Sequence, residues 1–265
     1  MAEKNPLDRR KDSQSFDTVA GLYEEYRPDY PQELVDSVIA LSRLPVGGRI
    51  LEVGSGTGKA TRLFARRGYS IHCIEPGRTL AAVAARSLQD DPQVSFEVSR
   101  FEEWPERSAA FDLVMSAQAF HWVPAEIGYA KASRSLKPAG SLALFWNMHP
   151  GFHGQLAEDL DGIYQKITPE ISSPQNSIEE TIQERTGEIT QSACFGPVSV
   201  RRYAWSRVYQ TREYIGLLNT YSDHLRLPLQ LRQRLFENIA ALIDAQGGSI
   251  ERDYIAVLYL AQKPS

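Results

Sequence analysis

Residues 50–61 read I-L-E-V-G-S-G-T-G-K-A-T, an apolar run that ends in glycines at alternate positions. An apolar run that stops at glycines predicts a buried strand, a tight loop and then the start of a helix. Glycine lacks a Cβ, so the backbone can take a positive φ and a ligand can lie against it. In an open α/β sheet, such a unit places a ligand at the carboxyl ends of the strands.

Two familiar nucleotide motifs fit this register poorly. A P-loop requires G-x-x-x-x-G-K-[ST], but Val53 stands at its first glycine and Ala60 at its Mg²⁺-binding hydroxyl. The dinucleotide fingerprint G-x-G-x-x-G needs a third glycine where this chain has Lys59. The register therefore disfavours a nucleoside triphosphate and makes a dinucleotide the second choice.

An acidic residue follows the next predicted strand. The run 70–74 is apolar enough for a strand and ends at Glu75. An acid about 20 residues beyond a glycine loop can accept hydrogen bonds from a ribose diol. Because both NAD and S-adenosylmethionine carry a ribose, Glu75 does not separate these two ligands.

Several motifs in order resemble one family. Glu52 with the three glycines resembles motif I of the class I S-adenosylmethionine-dependent methyltransferases, and residues 111–122, F-D-L-V-M-S-A-Q-A-F-H-W, resemble its motif IV region. Residues 16–31 resemble the N-terminal cap of the small-molecule type, the group that contains the ubiquinone-biosynthesis and trans-aconitate methyltransferases. The resemblance covers residues 16–147 and extends more loosely beyond them.

The resemblance implies S-adenosyl-L-methionine as the cofactor. Many relatives carry an Asp beside the adenine where this chain has Ser99 and Arg100, so Glu102 or a backbone carbonyl is expected to accept the adenine amine instead. The residues expected to bind the cofactor are Glu52, Gly54, Ser55, Gly56, Thr57, Gly58, Glu75, Pro76, Phe101, Glu102, Ser116, Gln118 and Arg27.

Candidates for catalysis and acceptor binding follow the fourth and fifth predicted strands or lie in the flanking segments. His121 is the best candidate for a general base, since an unperturbed histidine titrates near pH ~6.5; a structural role beside Trp122 stays open. Arg27 could pair with a carboxylate of the cofactor or of an acidic substrate. The candidate substrate residues are Tyr23, Tyr26, Trp122, Trp146, Asn147, Tyr221 and His224.

The order of predicted elements indicates a single α/β domain. Strands and helices alternate as far as residue 147, which predicts a doubly wound, mainly parallel sheet. The family resemblance implies a Rossmann-like sheet of seven strands, one of them antiparallel. We expect a mobile tail over residues 1–15, one domain over 16–265 with a helical cap at 16–45, and a helical insertion at 150–192 that forms a lid.

Composition excludes several other classes. A net charge of −4 argues against a strong grip on nucleic acid, and two cysteines are too few for a disulfide framework. The histidines are scattered, so no metal site is predicted, and no apolar run has the length of a membrane span. The charged N-terminus lacks the apolar core of a signal peptide. These features predict a cytoplasmic monomer or homodimer that binds neither nucleic acid nor membrane.

The sequence thus predicts a methyltransferase that moves a methyl group by in-line displacement to a small-molecule acceptor. The acceptor atom, whether oxygen, nitrogen, carbon or sulfur, is not specified. Two alternatives stay open from the residues alone. One is a non-catalytic protein that binds S-adenosylmethionine or S-adenosylhomocysteine, and the other is an NAD-dependent dehydrogenase.

Overall fold

A computed structural model describes residues 16–171 and 177–264 of the chain. The predicted mobile tail, residues 1–15, lies outside the described residues. In the described parts of the chain, no helix has both the length and the apolar composition needed to cross a bilayer.

Seven strands form one sheet in the order β3-β2-β1-β4-β5-β7-β6. Neighbouring strands from β3 through β5 pair in parallel, whereas β7 runs antiparallel to both β5 and β6. This arrangement confirms the predicted mainly parallel sheet with one antiparallel strand. The strands are β1 (Arg49–Val53), β2 (Ser70–Ile74), β3 (Val94–Glu97), β4 (Phe111–Ala117), β5 (Leu136–Met148), β6 (Ser199–Gln210) and β7 (Ser249–Gln262).

Ten α-helices occur in the described residues, together with short 3-10 helices at Phe16–Val19, Phe120–Trp122 and Pro169–Ile171. The first eight are α1 (Ala20–Tyr26), α2 (Gln32–Ser42), α3 (Thr61–Ala65), α4 (Arg78–Ser87), α5 (Ala125–Ser135), α6 (Gly154–Ile167), α7 (Ile178–Gln191) and α8 (Thr211–Leu218). The last two are α9 (Ser222–Leu225) and α10 (Leu229–Ala245).

Helices cover both faces of the sheet, which explains why its central strands are apolar on both sides. On one face, Leu51 and Val114 join α5 and α7 in a buried cluster. On the other face, Ile50 and Leu113 pack with Phe64 and with α2. A third apolar cluster lies among α1, α6, α8 and α10. The sheet is therefore a rigid platform that fixes the loops at its strand ends.

The predicted insertion over residues 150–192 forms two helices, α6 and α7, and their role as a lid stays a prediction. Helix α6 packs on α10, and Ile182 and Ile189 of α7 are buried against the sheet face that carries Trp146 and Tyr259. The apolar stripe of an amphipathic helix needs an apolar surface to cover, and the sheet face provides one.

The contact between α1 and α8 leads to a first prediction. A Cβ added at Gly216 of α8 would collide with the ring of Tyr26 in α1. We therefore expect Gly216→Ala to destabilise the protein by about 1–3 kcal/mol, as overpacking does, and calorimetry should show a Tm lower by about 2–10 °C. Gly162→Ala in α6 is the matched control, because nothing lies within 4 Å of its added Cβ. Equal Tm values for the two variants would contradict this packing.

Candidate functional site

The loop after β1 requires its glycines. Gly54, Gly56 and Gly58 have φ of 72°, 56° and 83°, in the left-handed region that residues with a Cβ rarely adopt. A Cβ at Gly54 would also collide with the Cβ of Ala119, just beyond β4. The loop can therefore lie directly against the end of β4, where the backbone is open to a ligand.

Glu75 ties the end of β2 to this loop. One carboxylate oxygen accepts a hydrogen bond from the backbone N–H of Gly56 at 2.8 Å, and the other accepts one from the N–H of Gly77 at 2.8 Å. Burial raises the pKa of Glu75 to about 7 despite these two hydrogen bonds, which act in the opposite direction. The carboxyl group thus changes charge near neutral pH.

A cavity of about 410 Å³ opens beside this carboxylate, at the carboxyl ends of the parallel strands. Its size falls in the usual range for small-molecule sites. The predicted residues that line it are Tyr23, Arg27, Gly54, Gly56, Glu75, Pro76, Phe101, Glu102, Gln118, His121, Trp122 and Tyr221.

A second, smaller cavity of about 30 Å³ lies next to the first and includes two further predicted residues, Ser55 and Thr57. Thr57 is fully buried, and its hydroxyl has no hydrogen-bond partner among the described residues. A buried hydroxyl without a partner is costly. The second cavity therefore has an unused polar group at its wall.

Glu52 lies behind the loop and does not line either cavity. It is fully buried, and the hydroxyl of Thr61 donates a hydrogen bond to its carboxylate at 2.7 Å. Burial raises its pKa to about 8, which outweighs the hydrogen bonds from Thr61 and Cys73. The structure therefore gives Glu52 a buried position in the support of the loop.

Three other predicted residues lie next to residues of the cavity walls without lining the walls themselves. Ser116 is buried and donates a hydrogen bond to the carbonyl of Val53 at 2.6 Å. Gly58 packs against α4, where an added Cβ would lie 3.3 Å from the Cβ of Ala84. Tyr26 is buried against Gly216. None of the three lines either of these two cavities.

Three predicted substrate residues also lie outside both walls. Trp146 is buried and donates its indole N–H to Nδ1 of His121 at 3.3 Å. Asn147 donates to the carbonyl of Asp29 at 3.0 Å. His224 is buried, with Nδ1 at 2.7 Å from Asp223 and Nε2 at 2.9 Å from the hydroxyl of Tyr164.

Two segments that are distant in the chain meet at one wall of the cavity. Arg27, just after α1, donates through Nε to the hydroxyl of Thr220 and through Nη2 to its carbonyl, both at 2.7 Å. Its guanidinium also lies 4.3 Å from the ring centroid of Tyr221 and 5.2 Å from that of Tyr23. We call this set of contacts the Arg27 clasp. It joins residues 193 positions apart in the sequence.

Several wall residues near the clasp were not predicted from the sequence. Ser222, Asp223 and Arg226 line the cavity, as does Arg100 at the end of β3. Only their closeness in the chain to predicted residues could have indicated them, because isolated polar residues carry no pattern. No described residue of the 150–192 insertion lines the cavity. In residues 16–171 and 177–264, no group of three or more His, Cys, Asp or Glu could hold a metal ion.

Comparison with known sequences agrees with this geometry. A family model described as a methyltransferase domain matches residues 50–140. An uncharacterized methyltransferase of Mycobacterium tuberculosis strain H37Rv is 30% identical over 211 residues, which cover 77% of this chain and 83% of the relative. A trans-aconitate 2-methyltransferase of Variovorax paradoxus is 31% identical over 123 residues, 46% of each chain.

Solved structures share the fold. A putative type II methyltransferase from Anaeromyxobacter dehalogenans has a TM-score of 0.67 at 20% identity, with 91% of this chain and 100% of that chain covered. A phosphoethanolamine N-methyltransferase 2 of Haemonchus contortus, in complex with phosphomonomethylethanolamine and S-adenosylhomocysteine, has a TM-score of 0.58 at 15% identity. That match covers 98% of this chain and 60% of the other.

The sheet order, the glycine loop and the acid at the end of β2 define a nucleotide-type α/β enzyme site. Taken with the match over most of both chains to the mycobacterial relative, they show that the chain belongs to the class I S-adenosylmethionine-dependent methyltransferases. It is an enzyme, and S-adenosylmethionine is its cofactor.

Proposed function

We propose that the chain transfers the methyl group to a small-molecule acceptor by in-line displacement within the 410 Å³ cavity. The observation that carries this proposal is the pairing of Glu75 with the backbone of the glycine loop at the cavity wall. A carboxylate held in this position offers acceptor oxygens to a ribose diol, and the open loop accommodates the chain that continues from the ribose.

The remaining wall residues fit the other parts of the cofactor. Phe101 and Glu102 line the cavity, and we assign them to the adenine, from whose amine the Glu102 carboxylate can accept a hydrogen bond. Elsewhere in the wall, the Arg27 guanidinium can attract a carboxylate. The adjoining second cavity, which Arg27 also lines, contains the buried hydroxyl of Thr57 without a hydrogen-bond partner among the described residues. The residues present therefore suit S-adenosylmethionine along its whole length.

When bound, the cofactor supplies an electrophilic methyl group on a sulfonium centre. The residues of the chain have to orient the acceptor and exclude water, and orientation alone can lower a barrier by about 7–11 kcal/mol. The Arg27 clasp and Tyr221 close the cavity on one side, while Trp122 and Val123 form an apolar wall on another. Catalysis by this site is thus mainly positional.

Cofactor choice can be tested by thermal-shift titration with S-adenosylmethionine, S-adenosylhomocysteine, NAD and ATP. We expect the first two to raise the Tm in a saturable way, as a ligand specific to the folded state does, and the others to have no effect. Stabilisation by NAD alone would support the dehydrogenase alternative and would contradict the proposal.

The acceptor is a separate question. Two of the relatives named above have an acceptor in their names, trans-aconitate and phosphoethanolamine. These acceptors differ in chemistry, so the names favour a small molecule without selecting one. A screen with S-adenosylmethionine labelled in the methyl group should show transfer to one class of small acceptor. Binding of cofactor without transfer to any acceptor would favour the non-catalytic alternative. The cytoplasmic location and the monomeric or homodimeric state stay predictions.

The clasp yields a prediction on binding. Arg27→Lys keeps the charge but cannot make both hydrogen bonds to Thr220 or stack as a planar group. We expect the Kd for S-adenosylhomocysteine, measured by calorimetry, to rise about 10-fold or more, in line with roughly 1.5–3 kcal/mol for a charged hydrogen bond. Arg78→Lys is the control, since Arg78 is exposed and does not line the cavity. Unchanged affinity in the Arg27 variant would remove the clasp from the binding site.

A further inference from the structure

The hydrogen bond between Trp146 and His121 determines which nitrogen of the imidazole carries the proton. An indole N–H can only donate, so Nδ1 of His121, 3.3 Å away, must accept with its lone pair. A neutral imidazole then carries its single proton on Nε2. We propose that His121 serves the acceptor as a hydrogen-bond donor through Nε2–H and does not act as the general base. This role of His121 rests on the proposed function, because it requires a methyl acceptor in the cavity. The tautomer of His121 can be tested without any acceptor.

Trp146 is held firmly enough to impose this tautomer. Its side chain is only 6% exposed, and its ring meets Tyr259 edge-on, with centroids 5.6 Å apart. The guanidinium of Arg185, from α7, lies 4.3 Å from the indole centroid. A cation over the ring face attracts its electrons and makes the N–H a better donor. Helix α7 thus contacts the site through Arg185, which lies over Trp146.

His121 is fixed from its own side as well. It lies in the 3-10 helix Phe120–Trp122, and Phe120 is buried against Tyr129, with centroids 5.1 Å apart. The ring of Trp122 lies 4.6 Å from the imidazole. The backbone of the 3-10 helix and the rings of Trp122 and Trp146 therefore restrict the rotation of the imidazole that would exchange its two nitrogens.

The opposite tautomer carries a clear cost. A base that works through Nε2 needs its proton on Nδ1, where two N–H groups would then face each other at 3.3 Å. That arrangement loses one hydrogen bond and leaves a buried indole donor unsatisfied, which is unfavourable. The structure thus favours the donor form of His121 at the cavity wall.

Asp223, an acidic residue that lines the same cavity as His121, is a weak base because its pKa is lowered. Burial alone would raise the pKa of Asp223, but hydrogen bonds from the side chain and backbone of His224 lower it. The Nε2–H of His121 therefore suits an acceptor atom that has no proton to lose, such as a carboxylate oxygen. In such a transfer, a lone pair of that oxygen forms the new bond to the methyl carbon, the carbon–sulfur pair stays with sulfur, and no proton moves.

Nuclear magnetic resonance of the ¹⁵N-labelled histidine rings tests this assignment without any acceptor. The chain has five histidines, and His121→Gln identifies the signals of His121. In the wild-type protein at pH 7.5, with and without S-adenosylhomocysteine, we expect an unprotonated Nδ1 and a protonated Nε2. A proton on Nδ1 would overturn the proposal, whatever the outcome of the thermal-shift titration.

Two variants, each of which removes one indole, test whether Trp146 selects the tautomer of His121. Trp146→Phe keeps an aromatic ring but removes the N–H, so we expect the two nitrogen signals of His121 to move toward the averaged values of mixed tautomers. Trp205→Phe removes an indole that donates instead to Asn147 and should leave the His121 signals in place. If folded Trp146→Phe leaves the tautomer unchanged, Trp146 is not its cause. If that variant fails to fold, the wild-type spectrum alone decides the role of His121.

Discussion

Glu75→Ala is expected to weaken S-adenosylmethionine binding by about 100-fold, the largest loss of affinity from a single side chain in this site. The variant removes both acceptor oxygens for the ribose diol, and hydrogen bonds to a charged group contribute about 1.5–3 kcal/mol each, where 1.4 kcal/mol is about tenfold. It also frees the N–H groups of Gly56 and Gly77. Isothermal titration calorimetry measures the Kd directly.

Two further variants control for effects on folding. Glu75→Gln keeps one oxygen acceptor, so its Kd should lie between those of the wild type and the alanine variant. Glu103→Gln alters an exposed carboxylate that does not line the cavity and should bind normally. A folded Glu75→Ala protein whose Kd stays within about twofold of the wild type would place Glu75 outside the cofactor site.

The same carboxyl group predicts a pH dependence. Because the pKa of Glu75 is raised to about 7, the group is largely protonated at pH 6 and ionised at pH 8. The ionised form is the better acceptor, so affinity for S-adenosylhomocysteine should fall as pH is lowered from 8 to 6. In Glu75→Gln, this component of the pH dependence should disappear. Parallel curves for the two proteins would show that another group is responsible.

Glu52→Gln is expected to stabilise the protein at alkaline pH. The pKa of Glu52 is raised from 4.5 to about 8 by burial, so the folded state holds a proton that the unfolded chain releases. The free energy of unfolding therefore falls as pH rises from 4.5 to 8. A neutral amide removes this loss, and we expect a gain of roughly 1–4 kcal/mol at pH 9.

Calorimetric Tm values from pH 6 to pH 9 test this prediction. The advantage of the variant should grow with pH up to about 8 and stay constant above it, at about 2–4 °C for each kcal/mol. Affinity for S-adenosylmethionine should be nearly unchanged, because Glu52 does not line either cavity. An advantage independent of pH would mean that Glu52 is not protonated in the folded protein.

Strand positions were largely predictable, because buried strands are continuous apolar runs bounded by glycine and proline. The start of β7 is harder to predict, because the strand begins at Ser249 and its first residues include the charged residue Arg252. That side chain is 8% exposed and lies near the rings of Tyr214 and Tyr221. Aromatic contacts of this kind make a buried charge possible, and hydropathy does not show them.

The candidate site likewise has one part that could be predicted from the sequence and one part that could not. The glycine loop and Glu75 were predictable, because local backbone geometry and strand ends fix them. The closure of the cavity was not, because it depends on the contact between Arg27 and Thr220. Nothing in the sequence around either residue indicates the other. The lid over residues 150–192 stays a prediction; the apolar stripes of α6 and α7 pack on α10 and on the sheet.

The position of β7 between β5 and β6 bears on how the chain folds during synthesis. Residues 136–148 leave the ribosome about a hundred residues before 249–262, which pair with them. At synthesis rates of about 5–20 residues per second, the apolar edge of β5 stays unpaired for several seconds before β7 is synthesised. An unpaired strand edge of this kind is prone to aggregate. We therefore expect chaperones to protect the nascent chain until its last strand inserts.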